Sequence, residues 1–188
     1  MTVEYRQVFF GDEPLTVDAA AQILVVAFHD RSLAWPTVSA AYGTMNEFAQ
    51  DQHIAFGAFA DSSLVGWIGA TPSYNGNVWE IQLLGVIPEW QRNGIATALV
   101  RILISALVHV GCHTVCVWCD DESRSTSIGG DNLFPYPLDA LARLESGPRH
   151  AGGFYEHVGF VRCGILPDAN GPGKPDILYA MHVLFAAP

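Results

Sequence analysis

Basic residues are scarce. Nine Lys and Arg stand against nineteen Asp and Glu, a formal charge of −10 over 188 residues. Nucleic acid presents a dense row of phosphates and needs a basic face, so this balance argues against it as a partner. The balance suits a small cationic ligand, since an acidic cleft concentrates positive charge, although it serves plain solubility equally well. Long apolar runs are missing too. The longest, around Ile102 to Val110, is broken by Ser105 and His109 and falls short of the roughly 18 residues of a membrane span. The start, MTVEYRQVFFGDEPL, carries Glu4 early and no cationic stretch ahead of an apolar one. No secretory signal is expected, and a cytoplasmic location follows. Two phosphate-binding patterns are absent. Without G-x-x-x-x-G-K-[ST] the P-loop has no support, and without G-x-G-x-x-G after an early strand neither has a Rossmann dinucleotide site. Cysteine is sparse, with four residues: Cys112, Cys116, Cys119 and Cys163. In a cytosolic chain these are expected to be reduced. The spacing Cys112-x3-Cys116-x2-Cys119 beside His113 suggests zinc. On a strand, however, Cys116 and Cys119 point to opposite faces, so ordinary buried cysteines and no metal are expected.

What is present is a globular α/β pattern. Half of the residues are hydrophobic, and the length fits a single domain, 1–188, with a substantial core. Leu15 to Phe28 has helical periodicity, with Pro14 and Thr16 as start signals. A polar and aromatic connector follows, and then a short helix at Asn46 to Asp51. Ile54 to Phe59 and Ser63 to Ala70 read as a hairpin turning at Asp61-Ser62, and Trp79 to Val86 as a third strand. Ile95 to Val110 is a helix apolar nearly all round, expected to show little surface, with Gly111 closing it. Val115 to Cys119 is the next strand. The polar stretch from Asp120 to Arg149 is long enough to be functional or mobile, and holds a short helix at Leu138 to Leu144. A helix from His150 to Val158 and strands at Val161 to Leu166 and Ile177 to Leu184 complete the chain. This order indicates an α/β (mixed α+β) domain, a central twisted mixed β-sheet flanked by helices.

The most informative stretch is WEIQLLGVIPEWQRNGIATALV, from Trp79 to Val100. An apolar strand breaks at Pro88 and leads through Gln91-Arg92-Asn93-Gly94-Ile95-Ala96-Thr97 into a helix. Free first-turn amides and the helix dipole make such a junction an anion site. Gly94 lets a phosphate approach the backbone, Ala96 keeps the next side chain out of its way, and Arg92 can add a charged contact. The junction reads as a pyrophosphate cradle, or else as a strand–turn–helix junction with an incidental glycine.

The pattern Gln-x-x-Gly-x-Ala between strand and helix resembles the coenzyme A loop of the GCN5-related N-acetyltransferase (GNAT) superfamily. LVGWIGATPSY precedes it, and CDDES, FYEHVGF and GILPDANGPGKPDILYAMHV follow. In this order the blocks resemble the aminoglycoside 6′-N-acetyltransferases of the enterococcal chromosomal type, from about Trp35 to Val183. The resemblance implies the GNAT fold and acetyl-CoA as cosubstrate, bound by Leu84, Val86 and the loop from Gln91 to Thr97. It also implies acetylation of the 6′-amine of an aminoglycoside, resistance by inactivation, and a homodimer. The apolar end Leu184-Phe185-Ala186-Ala187 fits a covered strand.

Acetyl transfer from a thioester to an amine needs a proton acceptor, a held nucleophile, an oxyanion donor and a hydrogen bond for the departing thiolate. Glu80 stands in an apolar run, where desolvation raises a carboxyl pKa toward the useful range. It reads as a general base, or as a strand-end glutamate in solvent or paired with Arg92 or Arg101; the resemblance assigns it the base role through water. The related enzymes carry histidine two positions on, where this chain has Gln82, which cannot take a proton. By resemblance the Leu84 amide is the oxyanion donor, and the amides and carbonyls of Leu84 and Val86 pair with the pantetheine arm. Tyr155 of FYEHVGF is the thiolate's partner, a Phe-Tyr pair being otherwise ordinary core packing. Asp120 and Asp121 follow a strand end, where ligands gather in α/β sheets. They read as part of an acidic substrate pocket with Glu80 and Asp176, or as a solvated or capping pair; Asp120 is the better candidate, and Gln82 is a further substrate-binding candidate. Trp35, Tyr74 and Trp79 are sugar-ring walls or core. Ala151-Gly152-Gly153 replaces the proline and tyrosine that follow the Arg-His pair in the resembling enzymes, which suggests a looser helix start. Two other readings remain: acetylation of another cationic amine (polyamine, peptide or protein N-terminus), and an acyl-CoA-binding module without transfer.

Overall fold

A computed structural model describes residues 2–10, 14–29, 34–50 and 52–183. The fold is mixed α/β and falls into two compact units, Met1–His113 with Val183–Pro188, and Thr114–His182.

The first unit holds four antiparallel strands in the order β1-β2-β3-β4: β1 (Val3–Gln7), β2 (Ile54–Ala60), β3 (Ser63–Ser73) and β4 (Val78–Val86). Sequence reasoning passed over β1, a short edge strand too polar to show an apolar run. Its Arg6 lies 4.1 Å from the centre of the Phe59 ring. The β2–β3 hairpin turns at Asp61 and Ser62 as expected, with φ of 47° and 65°. Both are left-handed, as a two-residue hairpin matched to strand twist requires.

Helix α1 (Pro14–Phe28) agrees with its periodicity. Helix α2 (Val38–Gln50) is much longer than the short helix expected after Asn46. Ala41, Met45 and Phe48 form its buried stripe at helical spacing, and the Thr37 hydroxyl accepts the Ala40 N–H at its start. The polar residues between them, and Gly43, hid that stripe. Both helices cover one face of the strands. The Trp67 indole N–H donates to the Ala20 carbonyl of α1 at 3.3 Å, and a Cβ on Gly69 would meet Phe48 of α2 at 2.5 Å. Trp67, Met45, Leu24 and Leu83 anchor this core, each fully buried side chain contributing about 1.5–3 kcal/mol.

Helix α3 (Ile95–His109) packs on β2, β3 and β4, and the alternation of strand residues assigns it the opposite face. Ile95, Leu99, Val100, Leu103 and Leu107 are buried. Arg101, Ser105 and His109 are exposed, so the helix presents one wet face and is not enclosed all round. Gly111, at φ 77°, follows its end.

One irregularity positions the candidate site. Gly69 lies opposite Leu83 and Ala70 opposite Ile81, so β4 carries Gln82 as one extra residue, a β-bulge. Leu83 thereby returns to the face of Glu80 and Thr71, which lie opposite each other.

The second unit is an antiparallel sheet in the order β5-β7-β6: β5 (Thr114–Asp120), β6 (Val161–Leu166) and β7 (Asp176–His182), with helices α4 (Pro137–Ala142) and α5 (Gly152–His157). The apolar end that suggested a dimer, 184–187, lies outside the described residues. So does Asp51.

Candidate active site

The turn after β4 is built from its own hydrogen bonds. Trp90 N–H donates to Ile87 O and Gln91 N–H to Pro88 O, while Gln91 Nε2 reaches back 2.8 Å to Val86 O. Gln91, expected to bind the cofactor, ties the loop to β4 instead, and its backbone N–H is spent inside the protein. Asn93 Nδ2 braces the same turn on the carbonyls of Trp90 and Gln91. Arg92 and Gly94 are left-handed at φ 64° and 79°, and Arg92, Asn93 and Gly94 are exposed. Gly94 is the N-cap of α3, with no side chain capping the helix. The first helical bond is Ala98 N–H to Gly94 O at 3.0 Å, so the amides of Ile95, Ala96 and Thr97 have no partner within the helix. A Cβ on Gly94 would meet no protein atom within 4 Å. An exposed, uncapped helix start with open space at its glycine fits a diphosphate. Leu84, half-buried opposite Ile68, and Val86, buried opposite Gly66, lie in β4 just before this turn.

On the α2 face of β4 lies a cleft of about 280 Å³. Trp35, Phe48 and Leu83 form its apolar walls, and Thr44, Glu47, Thr71 and Gln82 its polar ones. Trp35 is fixed by its indole N–H to Thr44 Oγ1 at 2.9 Å and by an edge-on contact with Phe28. It is a core residue and a cleft wall at once. Gln82 Nε2 donates to Thr71 Oγ1 at 3.2 Å, and Thr71 lies opposite Glu80. Partial burial raises the Glu80 pKa above the ordinary carboxylate value, against a lowering from the Gln82 side chain. Glu80 is thus a carboxylate held beside an acidic and aromatic cleft, with its basicity raised.

Trp79 is not a wall of that cleft. It alternates with Glu80 onto the other face of β4, is 3% exposed, and lines a separate hollow of about 610 Å³ with Pro72 and Asn75. Its indole N–H has no partner among the described residues. Tyr74, in the β3–β4 turn, is 79% exposed and therefore not core.

In the second unit, Asp121 departs from expectation. It is fully buried, and its carboxylate accepts the N–H and hydroxyl of Ser125 and of Thr126. This carboxylate organises the loop, both of its oxygens being spent on the loop's own donors. Around it Ser127 N–H donates to Glu145 O and Gly147 N–H to Ser125 O, so the long stretch from Asp120 to Arg149 is tied together by its own bonds. Asp120 is exposed and lies directly opposite Asp176 in the β5–β7 pair. The part of each carboxyl that packs against the strands is desolvated, which raises both pKa values, with Glu122 and then Asp176 adding repulsion at Asp120. Asn170 Nδ2 holds Asp176 at 2.7 Å.

Tyr155 of α5 is buried, with Phe154 and Phe160 edge-on to its ring. Burial, with a smaller contribution from the neighbouring Cys119, pushes its phenol well above the ordinary value, so it remains a proton donor at neutral pH. The start of α5 is close-packed and not loose. A Cβ on Gly152 would lie 2.0 Å from Tyr179 Oη, and Gly152 N–H donates to His150 Nδ1. Among the described residues no group of three or more His, Cys, Asp or Glu is arranged to hold a metal.

Residues 20–129 match the model of the acetyltransferase (GNAT) family. The chain belongs to that family. As a GNAT protein it is an acetyl-CoA-dependent acetyltransferase by type. Three solved structures are similar over the whole length of both chains. One, an aminoglycoside 6′-N-acetyltransferase complexed with coenzyme A, is 27% identical with a TM-score of 0.85. A second, the aminoglycoside 6′-N-acetyltransferase from Enterococcus faecium, is 28% identical with a TM-score of 0.83. A third, an aminoglycoside 6′-acetyltransferase type Ii, shares the fold at 24% identity and a TM-score of 0.73. No curated protein matches this GNAT chain by sequence.

Sequence reasoning missed Thr71, Thr44, Glu47 and Phe48. Ending β3 at Ala70 cost it Thr71, since extending the alternation would have set Thr71 beside Glu80. Thr44 was lost with the first two turns of α2, whereas Glu47 and Phe48 fell inside the expected short helix, whose face toward the cleft its few residues did not reveal.

Proposed function

We propose that this GNAT protein transfers the acetyl group of acetyl-CoA to the 6′-amine of an aminoglycoside. The observation that carries this reading is Glu80, a carboxylate of raised basicity at an acidic, aromatic cleft one strand-length from the uncapped helix start at Gly94. Likeness of 27–28% identity over full length to aminoglycoside 6′-N-acetyltransferases supports it.

Bound acetyl-CoA supplies the activated acetyl thioester. The amides at Gly94, Ile95, Ala96 and Thr97 hold its diphosphate with Arg92, while Gln91 and Asn93 keep the loop in shape. Alkylammonium groups are mostly charged at neutral pH, so Glu80 takes the proton through water. Trp35 and Tyr74 offer flat faces to sugar rings, and Glu47 and Asp120 offer negative charge to the other ammonium groups. The Leu84 amide donates to the oxygen that gains charge. The Tyr155 hydroxyl donates to the departing sulfur. On this reading the whole chain acts as one acetyltransferase domain, as a cytoplasmic homodimer, with drug inactivation as the outcome.

The test is a thiol-release assay with acetyl-CoA and a panel of kanamycin, spermidine and peptides. Turnover with kanamycin well above the others is expected. Preference for spermidine or a peptide would replace the substrate assignment. Acetyl-CoA binding without turnover on any amine would make the protein a binding module.

A further inference from the structure

The bulge in β4 does something to Glu80 that a regular strand does not. In an unbroken strand Glu80 and Gln82 stand one pleat apart on one face, about 7 Å from each other. Here Gln82 is the extra residue between Ile81 and Leu83. Its side chain is exposed on the cleft and donates to Thr71 on the neighbouring strand at 3.2 Å. Thr71 itself lies opposite Glu80. The bulge and the Thr71 anchor thus set the Gln82 amide on the side of the Glu80 carboxylate, whose ionised form it favours.

We propose that Gln82 is the positioning residue for Glu80: carried on the β-bulge and anchored on Thr71, its amide N–H group holds the Glu80 carboxylate in one orientation at the cleft. The proposal rests on the reading of Glu80 as the base. A glutamine cannot pass a proton on, but it is a permanent donor that does not titrate. It therefore fixes the carboxylate without competing for the proton that Glu80 must accept. The two effects on Glu80 oppose each other: desolvation raises its basicity, and the Gln82 amide favours the ionised form. The net effect is a pKa raised above the ordinary carboxylate value. Glu47 of α2 is the other carboxylate lining this cleft. It is the same in every variant compared, so it does not enter the difference between them.

The direct test does not depend on turnover. Carbon-13 NMR of Glu-labelled protein, with the Glu80 signal assigned through Glu80→Gln, gives the titration midpoint of Glu80 in the parent and in Gln82→Met. Methionine keeps the length and removes the donor. A midpoint about half to one pH unit higher in Gln82→Met is expected, with a smaller rise in Thr71→Val, which removes only the anchor. An unchanged or lower midpoint in Gln82→Met overturns the proposal. In acetyl transfer, the acid limb of kcat/KM should move up by the same amount, with the alkaline plateau reduced less than about tenfold. Equal loss at every pH in Gln82→Met would mean a merely structural role and would also overturn it. If the parent shows no turnover while the NMR shift is present, the functional reading fails and the positioning role stands.

Discussion

Replacing Gly94 separates the demands of the fold from those of the diphosphate. Its φ of 79° is left-handed, which costs an alanine about 1–2 kcal/mol. For a chain of this size that is a fall in Tm of roughly 2–8 °C. No further penalty arises in the fold, since the added Cβ would meet nothing within 4 Å. The same Cβ enters the space in front of the free amides of Ile95, Ala96 and Thr97. Losing one charge-assisted contact there is worth about 1.5–3 kcal/mol, or roughly 10- to 100-fold in the coenzyme A Kd. Gly94→Asn sharpens the comparison. Asparagine tolerates the left-handed region, so most of the Tm should return, yet its Cβ obstructs the same space. Calorimetric titration of coenzyme A into both variants, with melting curves alongside, gives both quantities. Either variant binding coenzyme A within about twofold of the parent would refute the cradle.

Three further outcomes follow from the same geometry. Glu80→Gln should lower kcat/KM at neutral pH at least about tenfold. In the parent, activity should fall as pH drops through a Glu80 midpoint set above the ordinary carboxylate value, because the protonated acid cannot accept a proton; a parent-like profile in the variant would remove Glu80 from the mechanism. Tyr155→Phe should reduce kcat at least about tenfold with acetyl-CoA saturating, while the coenzyme A Kd holds; an intact rate would contradict the donor role. Asp121→Asn should cost about 2–3 kcal/mol in urea unfolding, since an amide nitrogen would face N–H and hydroxyl donors of Ser125 or Thr126; unchanged stability would contradict the buried-acceptor account.

The strongly periodic parts of this chain were legible. Apolar runs bounded by turn residues gave β2, β3 and β4, helical periodicity gave α1, and a long unbroken apolar segment gave α3, all with small boundary errors, because burial writes itself into length and pattern. The turn at Gly94 was legible for a different reason: it needs a residue type few others can replace. What stayed hidden came from tertiary context. Helix α2 is held by three buried residues among polar ones, and β1 exists because it pairs with β2. The bulge that turns Gln82 into the cleft depends on the register with β3, which a single strand cannot reveal. Adjacent aspartates look alike in sequence. Only the loop folding around Asp121 shows that it is the buried acceptor and Asp120 the exposed one. Trp79 and Glu80 were joined by adjacency, and the pleat separates them.

The most direct measurement is the structure of the product. Kanamycin incubated with the protein and acetyl-CoA, then examined by two-dimensional NMR, should carry one acetyl group on its 6′-nitrogen, and the Glu80→Gln protein should yield almost none. An acetyl group on a different amine, or unmodified kanamycin beside acetylated spermidine, would contradict the account.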